Sequence, residues 1–470
     1  MFINGEWIQR EDLEVINPYN SETIGYIPAL SREEAKEGIS IGHEHKNIMK
    51  ELSPSKKYNI LMGIAKKIQS NKEKIARIIS TDAGKPIRQS IIEVDRTIGT
   101  FKLAAFYVKE FRGETLPLED GIIITKREPV GLIGAITPFN FPLNLVAHKV
   151  APAITTGNAI VLHPSSKAPM ASIELTKIIE EVLKSKNIPL GVFNLLTGEG
   201  AVVGDEIVKN EKINMISFTG SVEVGESITK NAGFKRITLE LGGNNPAIVL
   251  KDCNLNNAIE SIVKGKFLNA GQVCISVGRV LIEEEIGDKF IKGVIEESKK
   301  LNVGDPLNKN TDVGPLITKD SADRVEDIIN QSIEEGGKLL YGGERKGNII
   351  YPTILEVDSE NILSKVEVFG PVLPIIKVDS LEEAIYQSNN TKYGLHAGVF
   401  TNDINKAFKI ANELEYGGVL INNSPTFRVD NMPFGGVKKS GMGREGVKYA
   451  IEEMSEIKTI ILRNINVPQE

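Results

Sequence analysis

The chain predicts an α/β protein built on open, mostly parallel sheets, and two observations carry that expectation. Short, nearly unbroken apolar runs recur at residues 130–137, 159–162, 192–196 and 215–219, with helix-length segments between most of them. Buried parallel strands read this way because both of their faces are covered. A second series of the same kind starts at Asn245-Pro-Ala-Ile-Val-Leu250 and runs to about Leu420, punctuated by Gly342-Gly343, Gly417-Gly418 and Gly435-Gly436. Open sheets of this class bind ligands beyond the carboxyl ends of their strands, so function is sought in the turns that follow them.

The elements follow in chain order. Met1-Phe-Ile-Asn-Gly-Glu-Trp-Ile-Gln9 has no basic stretch leading into an apolar core, and no apolar run nears the ~20 residues of a membrane span, so a cytoplasmic protein is expected. Ser31-Arg-Glu-Glu34 is a capping-box pattern that opens a helix. Ser53-Pro54 opens a second, with Ile60, Leu61, Ile64 and Ile68 at helical spacing, and Gly84-Lys-Pro86 ends the segment. Residues 113–128 read as a strand pair interrupting the first series. No internal repeat or low-complexity tract is evident.

Composition narrows the function classes. At 470 residues the chain exceeds one compact core and indicates two or three domains. Lys plus Arg number 56 and Asp plus Glu 62, a net charge of -6 with no long run of one sign. Nucleic acid and anionic membranes are therefore poor partners, and small solutes better ones. Cys253 and Cys274 alone make no disulfide framework and fit a reducing compartment. The five histidines show no metal-site spacing, and His43 and His45 lie on a charged helix.

Reaction chemistry enters with Glu240, in Leu239-Glu-Leu-Gly-Gly243, and Cys274, in Gly271-Gln-Val-Cys-Ile-Ser276. A thiol attacks a carbonyl carbon and holds it as a thioester, and a carboxylate activates the water that cleaves it. The pair removes no hydride, so this chemistry calls for an oxidising cofactor. Phe218-Thr-Gly-Ser-Val-Glu-Val-Gly225 offers a place for one, since glycine lets backbone approach a ligand and a helix N-terminus presents free N–H groups to phosphate. The same turn also reads as a plain strand-to-helix connection, and Gly198-Glu-Gly200 with Gly204 departs from the Gly-x-Gly-x-x-Gly fingerprint. Plainer readings exist for the other candidates too. A lone cysteine is usually a small buried hydrophobe, the reading preferred for Cys253. Asn140 also reads as a turn residue before Pro142, and Glu240 as a surface charge at a strand end.

Thr137-Pro-Phe-Asn-Phe-Pro142, Phe218-Thr-Gly-Ser221, Leu239-Glu-Leu-Gly-Gly243, Gly271-Gln-Val-Cys274, Glu367-Val-Phe-Gly-Pro371 and Pro433-Phe-Gly-Gly436 occur in the order seen in the aldehyde dehydrogenase superfamily, which the chain resembles over nearly its whole length. Pro425-Thr-Phe-Arg-Val-Asp430 and Gly441-Met-Gly-Arg-Glu-Gly446 look most like the archaeal-type lactaldehyde and non-phosphorylating glyceraldehyde-3-phosphate dehydrogenases. The resemblance implies Cys274 as nucleophile, Glu240 as general base and Asn140 as side-chain donor of the oxyanion hole, beside the Cys274 backbone N–H. It implies that Lys149 passes protons near the base, with a buried ion pair as the alternative. Coenzyme contacts are implied for Thr137, Pro138, His163, Ser166, Gly198, Phe218, Thr219, Gly220, Ser221, Gly225, Leu241, Glu367 and Phe369. The implied architecture is a doubly wound NAD(P)-binding domain (1–112 and 129–243), a second α/β catalytic domain (244–440) and a small β oligomerisation element (113–128 and 441–470), assembled as a homodimer or homotetramer.

The activity so implied is NAD(P)-dependent oxidation of a short polar aldehyde, lactaldehyde favoured, to its acid, with glyceraldehyde 3-phosphate and succinate semialdehyde as alternatives. CoA-acylating relatives generally lack a base at the position of Glu240, a cysteine esterase would need no nicotinamide, and a non-catalytic protein of this fold would turn over no aldehyde. Many relatives place Lys at His163 and, when NAD-preferring, Glu at Ser166. A carboxylate repels a 2′-phosphate whereas Ser166 does not, so dual use of NAD and NADP with a lean to NADP is expected, with Lys167 or a protonated His163 replacing the missing lysine. The competing reading has Ser166 capping the following helix. Arg428 either meets an anionic substrate group or forms an internal salt bridge.

Overall fold

The structure, a computed structural model, describes residues 1–463. Five parallel strands, β1 (Leu132–Thr137), β2 (Ala159–Pro164), β3 (Phe193–Leu195), β4 (Met215–Thr219) and β5 (Arg236–Glu240), stand in the order β3-β2-β1-β4-β5. The order reverses between β1 and β4, where Phe218 pairs with Ile136, and this opens a crevice at their carboxyl ends. Phe2–Ile3 pairs antiparallel with β3, and Gly441–Met442 pairs antiparallel with β5, Gly441 lying opposite Glu240.

The second sheet contains β6 (Asn245–Val249), β7 (Val277–Glu283), β8 (Thr353–Glu356), β9 (Val372–Val378), β10 (His396–Phe400) and β11 (Gly418–Ile421), all parallel in the order β8-β9-β7-β6-β10-β11. Lys338–Tyr341 adds an antiparallel edge beside β8. From β9 to β11 the sheet repeats the winding of the first. The sequence shows no repeat because this winding follows from right-handed crossovers between apolar strands, which many residue choices satisfy.

Ser31 caps the helix Arg32–Glu51 with both halves of the capping box in place, and Ser53 caps Pro54–Ser70. The expected continuous segment to Gly84 is two helices. Asn71, at φ -109° and ψ 14°, leaves the helical region before Lys72–Ala83, which ends on left-handed Gly84. Helix Ile87–Tyr107 follows, and it packs with helix Asn144–Thr156 under the first sheet. The strands Thr115–Leu118 and Gly121–Pro129 join Ser455–Arg463 in a three-stranded antiparallel sheet. The stretch 441–470, expected in the oligomerisation element, divides: Gly441–Met442 joins the first sheet, Val447–Glu453 is a helix packed on Asn144–Thr156, and Ser455–Arg463 joins the small sheet. Residues 464–470 lie outside the described residues. No helix among the described residues is long and apolar enough to cross a membrane.

Candidate active site

β5 ends on Glu240, and the chain turns through Leu241-Gly-Gly243 into β6, so the carboxyl end of the first sheet meets the amino end of the second. Cys274 lies on the loop that enters β7 at that same end. The backbone ahead of it is strained, with Asn269 (φ 49°), Ala270 (φ 54°) and Gly271 (φ 74°) in the left-handed region one after another. Gly271 is required there twice over, since a Cβ would also lie 2.2 Å from the Gly370 carbonyl oxygen. The strained turn is held from outside: Asn269 N–H donates to Gln89 Oε1 (2.9 Å), and Ile317 N–H donates to Gln272 Oε1 (3.0 Å).

Asn140 is buried, and its Nδ2 donates to the Gln272 carbonyl at 2.9 Å, which leaves one amide hydrogen free. Cys274 opens on a cavity of about 110 Å³ lined by Phe141, Leu268, Val273, Arg428 and Phe434 among others. No helix begins at Cys274, so no helix N-terminus favours its thiolate. Burial pushes the thiol up to about 12, with Arg428 pulling the other way. It rests protonated.

Glu240 is 2% exposed and neither of its oxygens has a partner. Burial, reinforced by the charge of Glu445, raises its pKa well above the ordinary carboxyl value against the opposing pull of Arg428, Lys149 and Arg444. Lys149 is fully buried and donates to Glu445 Oε1 (2.8 Å) and Ser217 Oγ (3.1 Å). Arg428 stacks 3.7 Å from the Phe434 ring centroid and approaches Glu445 Oε2 at 3.4 Å. Burial works against the Glu445 charge, but Lys149 and Arg428 outweigh it and bring this carboxyl down to about 2. Nearby, Asp430 takes Arg96 on both oxygens (2.6 and 3.2 Å) and His148 Nε2 at 3.0 Å.

A groove of about 830 Å³ lies over the carboxyl ends of β1, β2 and β4. Thr137, Pro138, His163, Ser166 and Gly198 line one side of it, and Phe218, Thr219, Gly220 and Ser221 line the other. Its size and position suit a dinucleotide. Ser221 caps the helix Val222–Asn231, and a side chain on Gly220 would strike the Phe218 ring at 2.4 Å. Gly225 and Leu241 sit behind the groove, packed so closely that a Cβ on Gly225 would lie 2.6 Å from Leu241 Cδ1. Glu367 accepts from Gly243 N–H at 3.1 Å and is pushed up to about 7 by burial. Phe369, left-handed at φ 52°, meets Phe139 edge to face at 6.0 Å.

One coenzyme expectation and one competing reading are corrected here. His163 is buried and its Nδ1 lies 2.9 Å from the Leu196 carbonyl, and burial lowers its pKa, so it stays neutral and offers no charge to a phosphate. Ser166 does not cap the next helix, which begins at Met170 without a side-chain cap of its own, the Met170 N–H being taken by Asp82 Oδ2 at 2.7 Å.

A model of the aldehyde dehydrogenase family matches residues 7–460. The chain belongs to this family. It is 70% identical over 462 residues to the lactaldehyde dehydrogenase of Methanococcus aeolicus, which spans 98% of this chain and 99% of the relative. It is 64% identical over 462 residues to the lactaldehyde dehydrogenase of Methanocaldococcus jannaschii, spanning 98% of this chain and 100% of the relative. The solved structure of a glyceraldehyde-3-phosphate dehydrogenase from Methanocaldococcus jannaschii, complexed with NADP, superposes with a TM-score of 0.96 at 64% identity, over 97% of this chain and 100% of that one. The enzyme is an NAD(P)-dependent oxidoreductase acting on aldehydes.

Several residues of this aldehyde dehydrogenase site escape a reading of the sequence. Asn245, the first residue of β6, donates through Nδ2 to the carbonyls of Cys274 (2.8 Å) and Ser276 (2.9 Å) and accepts from His396 N–H (3.0 Å). Glu445 partners Lys149 from 296 positions away in the chain. Its only local signal is a carboxylate inside the glycine-rich Gly441-Met-Gly-Arg-Glu-Gly446.

Proposed function

We propose that this enzyme oxidises lactaldehyde or a close short hydroxyaldehyde to the acid, with Cys274 as nucleophile, Glu240 as base and Asn140 as oxyanion donor. Cys274 Sγ bonds to the carbonyl carbon and its proton leaves to solvent or Glu240. The carbonyl oxygen becomes an alkoxide, which the free Asn140 amide hydrogen and the Cys274 N–H stabilise, each such donor contributing ~3 kcal/mol at the transition state. The former carbonyl carbon gives up its hydride, for which an oxidised nicotinamide held in the groove would be the acceptor, and the Cys274 thioester remains. Glu240 then takes a proton from the water that cleaves the Cys274 thioester, and the acid and the thiol are released. The Lys149–Glu445 pair holds fixed charge beside Glu240, so the buried ion pair is the role read for Lys149.

The observation that carries the substrate reading is the cavity. Its volume of about 110 Å³ falls well below the ~300–1,000 Å³ of sites for larger ligands. Both arginines that line it already face carboxylates of the protein, Arg96 on Asp430 and Arg428 on Glu445. A neutral hydroxyaldehyde needs neither. The second reading, a phosphorylated aldehyde, is favoured by Arg428 alone, whose Nε is buried without a partner. We compare kcat/KM for lactaldehyde, glyceraldehyde 3-phosphate and succinate semialdehyde: lactaldehyde should lead, and a wide margin for either anionic aldehyde would overturn the choice. We further propose dual coenzyme use leaning to NADP, a cytoplasmic enzyme, a coenzyme-binding domain of 1–112 with 129–243 and a catalytic domain of 244–440, an oligomerisation element of 113–128 with 455–463, and association of copies through that three-stranded sheet.

A further inference from the structure

We propose that the buried pair Glu93–Lys85 is a positioning device for the Asn140 amide, an inference that rests on Asn140 being the oxyanion donor. Both side chains are 1% exposed and are ion-paired with one another. Glu93 Oε1 also accepts from the backbone N–H groups of Leu143 (3.0 Å) and Asn144 (3.1 Å), which opens the helix Asn144–Thr156, a helix with no side-chain cap of its own. The Lys85 ammonium lies 3.6 Å from the centroid of the Phe141 ring. Residues on both sides of Pro142 are thus gripped from one direction, immediately after Asn140. Two hydroxyls of the same helix as Glu93, on Thr97 and Thr100, approach Asn144 Oδ1 at 3.4 and 3.3 Å and fix the far end of the turn.

Glu93 lines the substrate cavity, yet its carboxylate is buried and three of its roughly four acceptor sites are taken by Lys85, Leu143 and Asn144, so its place is to hold the turn. It acts through Asn140. A buried ion pair is a poor source of stability, because desolvation offsets its attraction and apolar residues of like size commonly serve as well. What the pair provides is direction. Asn140 Nδ2 spends one hydrogen on the Gln272 carbonyl, two residues before Cys274, and the other must meet the alkoxide within ~2.7–3.1 Å. A misplacement of ~1 Å in such a donor typically costs ~100-fold in rate.

The test uses Lys85→Met, Glu93→Gln and the double variant, each with and without Asn140→Ala, in the full-length enzyme. Single-turnover formation of reduced nicotinamide is measured, together with the coenzyme Kd and Tm. Asn140→Ala alone should slow the single turnover by ~100–1,000-fold. Lys85→Met should slow it ~100-fold with coenzyme Kd unchanged, and in the Asn140→Ala background should slow it less than ~3-fold further. Because a single change leaves a buried charge unpaired and can prevent folding, the neutral double variant decides in that case. It should fold and bind coenzyme yet remain slow. Equal fold-losses with and without Asn140, or a folded double variant at wild-type rate, would overturn the positioning role. If Asn140→Ala itself kept the wild-type rate, the oxyanion assignment would be at fault instead.

Discussion

Glu240 and Glu445 lie in the same buried site and settle into opposite charge states. Glu445 has Lys149 and Arg428 at hand and stays ionised, and burial together with that charge raises Glu240, whose oxygens have no partner. Two carboxyls pushed apart in this way can divide the labour of one site, one as fixed charge and one as proton carrier. Glu240 is competent as a base only once deprotonated, and burial and the Glu445 charge raise its pKa, so thioester hydrolysis should speed up as pH rises above the ordinary carboxylate range. Glu240→Gln should give a rapid burst of reduced coenzyme near one equivalent per site, then slow turnover that no longer climbs with pH. Steady-state rates and a pH profile like those of the parent enzyme would remove Glu240 from the role. Ser166 is half-buried, and its hydroxyl accepts from no backbone N–H that would make it a cap. Ser166→Glu should therefore shift the ratio of kcat/KM for NAD and NADP against NADP by at least ~tenfold, about 1.4 kcal/mol. An unchanged ratio would mean that Ser166 does not face the 2′ position.

At the scale of elements, what the sequence makes legible is what depends on local pattern. The runs at 130–137, 159–162, 192–196 and 215–219 are all strands within a residue or two of their expected limits, and both helix caps at Ser31 and Ser53 form as their residue types require. The break at Asn71 is not legible, because Ile68 and Ile75 continue the apolar face across it and periodicity alone joins the two helices. The polar side of helix Ile87–Tyr107 is a sharper case. Gln89 holds the turn before Cys274, Glu93 the turn after Asn140, and Arg96 the loop at Asp430, so one helix sets three loops of the site. In the sequence these are ordinary polar residues at helical spacing, which the simplest reading assigns to solvent. Their partners lie on other elements, and no local pattern records a pairing made by the fold. The same reason hides Asn245 and Glu445, whereas Cys274, Glu240 and Asn140 are visible because their motifs carry them.

For the whole molecule, the arrangement explains why reactive groups from distant segments meet at one joint: the first sheet ends where the second begins, and Glu240, Gly243 and Asn245 span the turn between them. The small sheet stands apart from that joint and has a different problem. Strand Ser455–Arg463 pairs residue for residue with Gly121–Pro129, but eight of its nine residues are exposed. Ile457 and Ile461, 63% and 57% exposed, point to one face of the strand because side chains alternate. A three-stranded sheet with bare apolar faces is marginal in water, and a long free edge invites pairing with another chain. Association of copies over this sheet would cover both liabilities. Ile457→Glu with Ile461→Glu places two like charges on that face, where they would be desolvated at any contact, so if copies associate as proposed, sedimentation should show a smaller species than the parent chain forms. Neither isoleucine lines the cavity or the coenzyme groove, so coenzyme should still bind the smaller species. If the mass in solution did not change, or the parent chain were itself a monomer, association over this sheet would be ruled out.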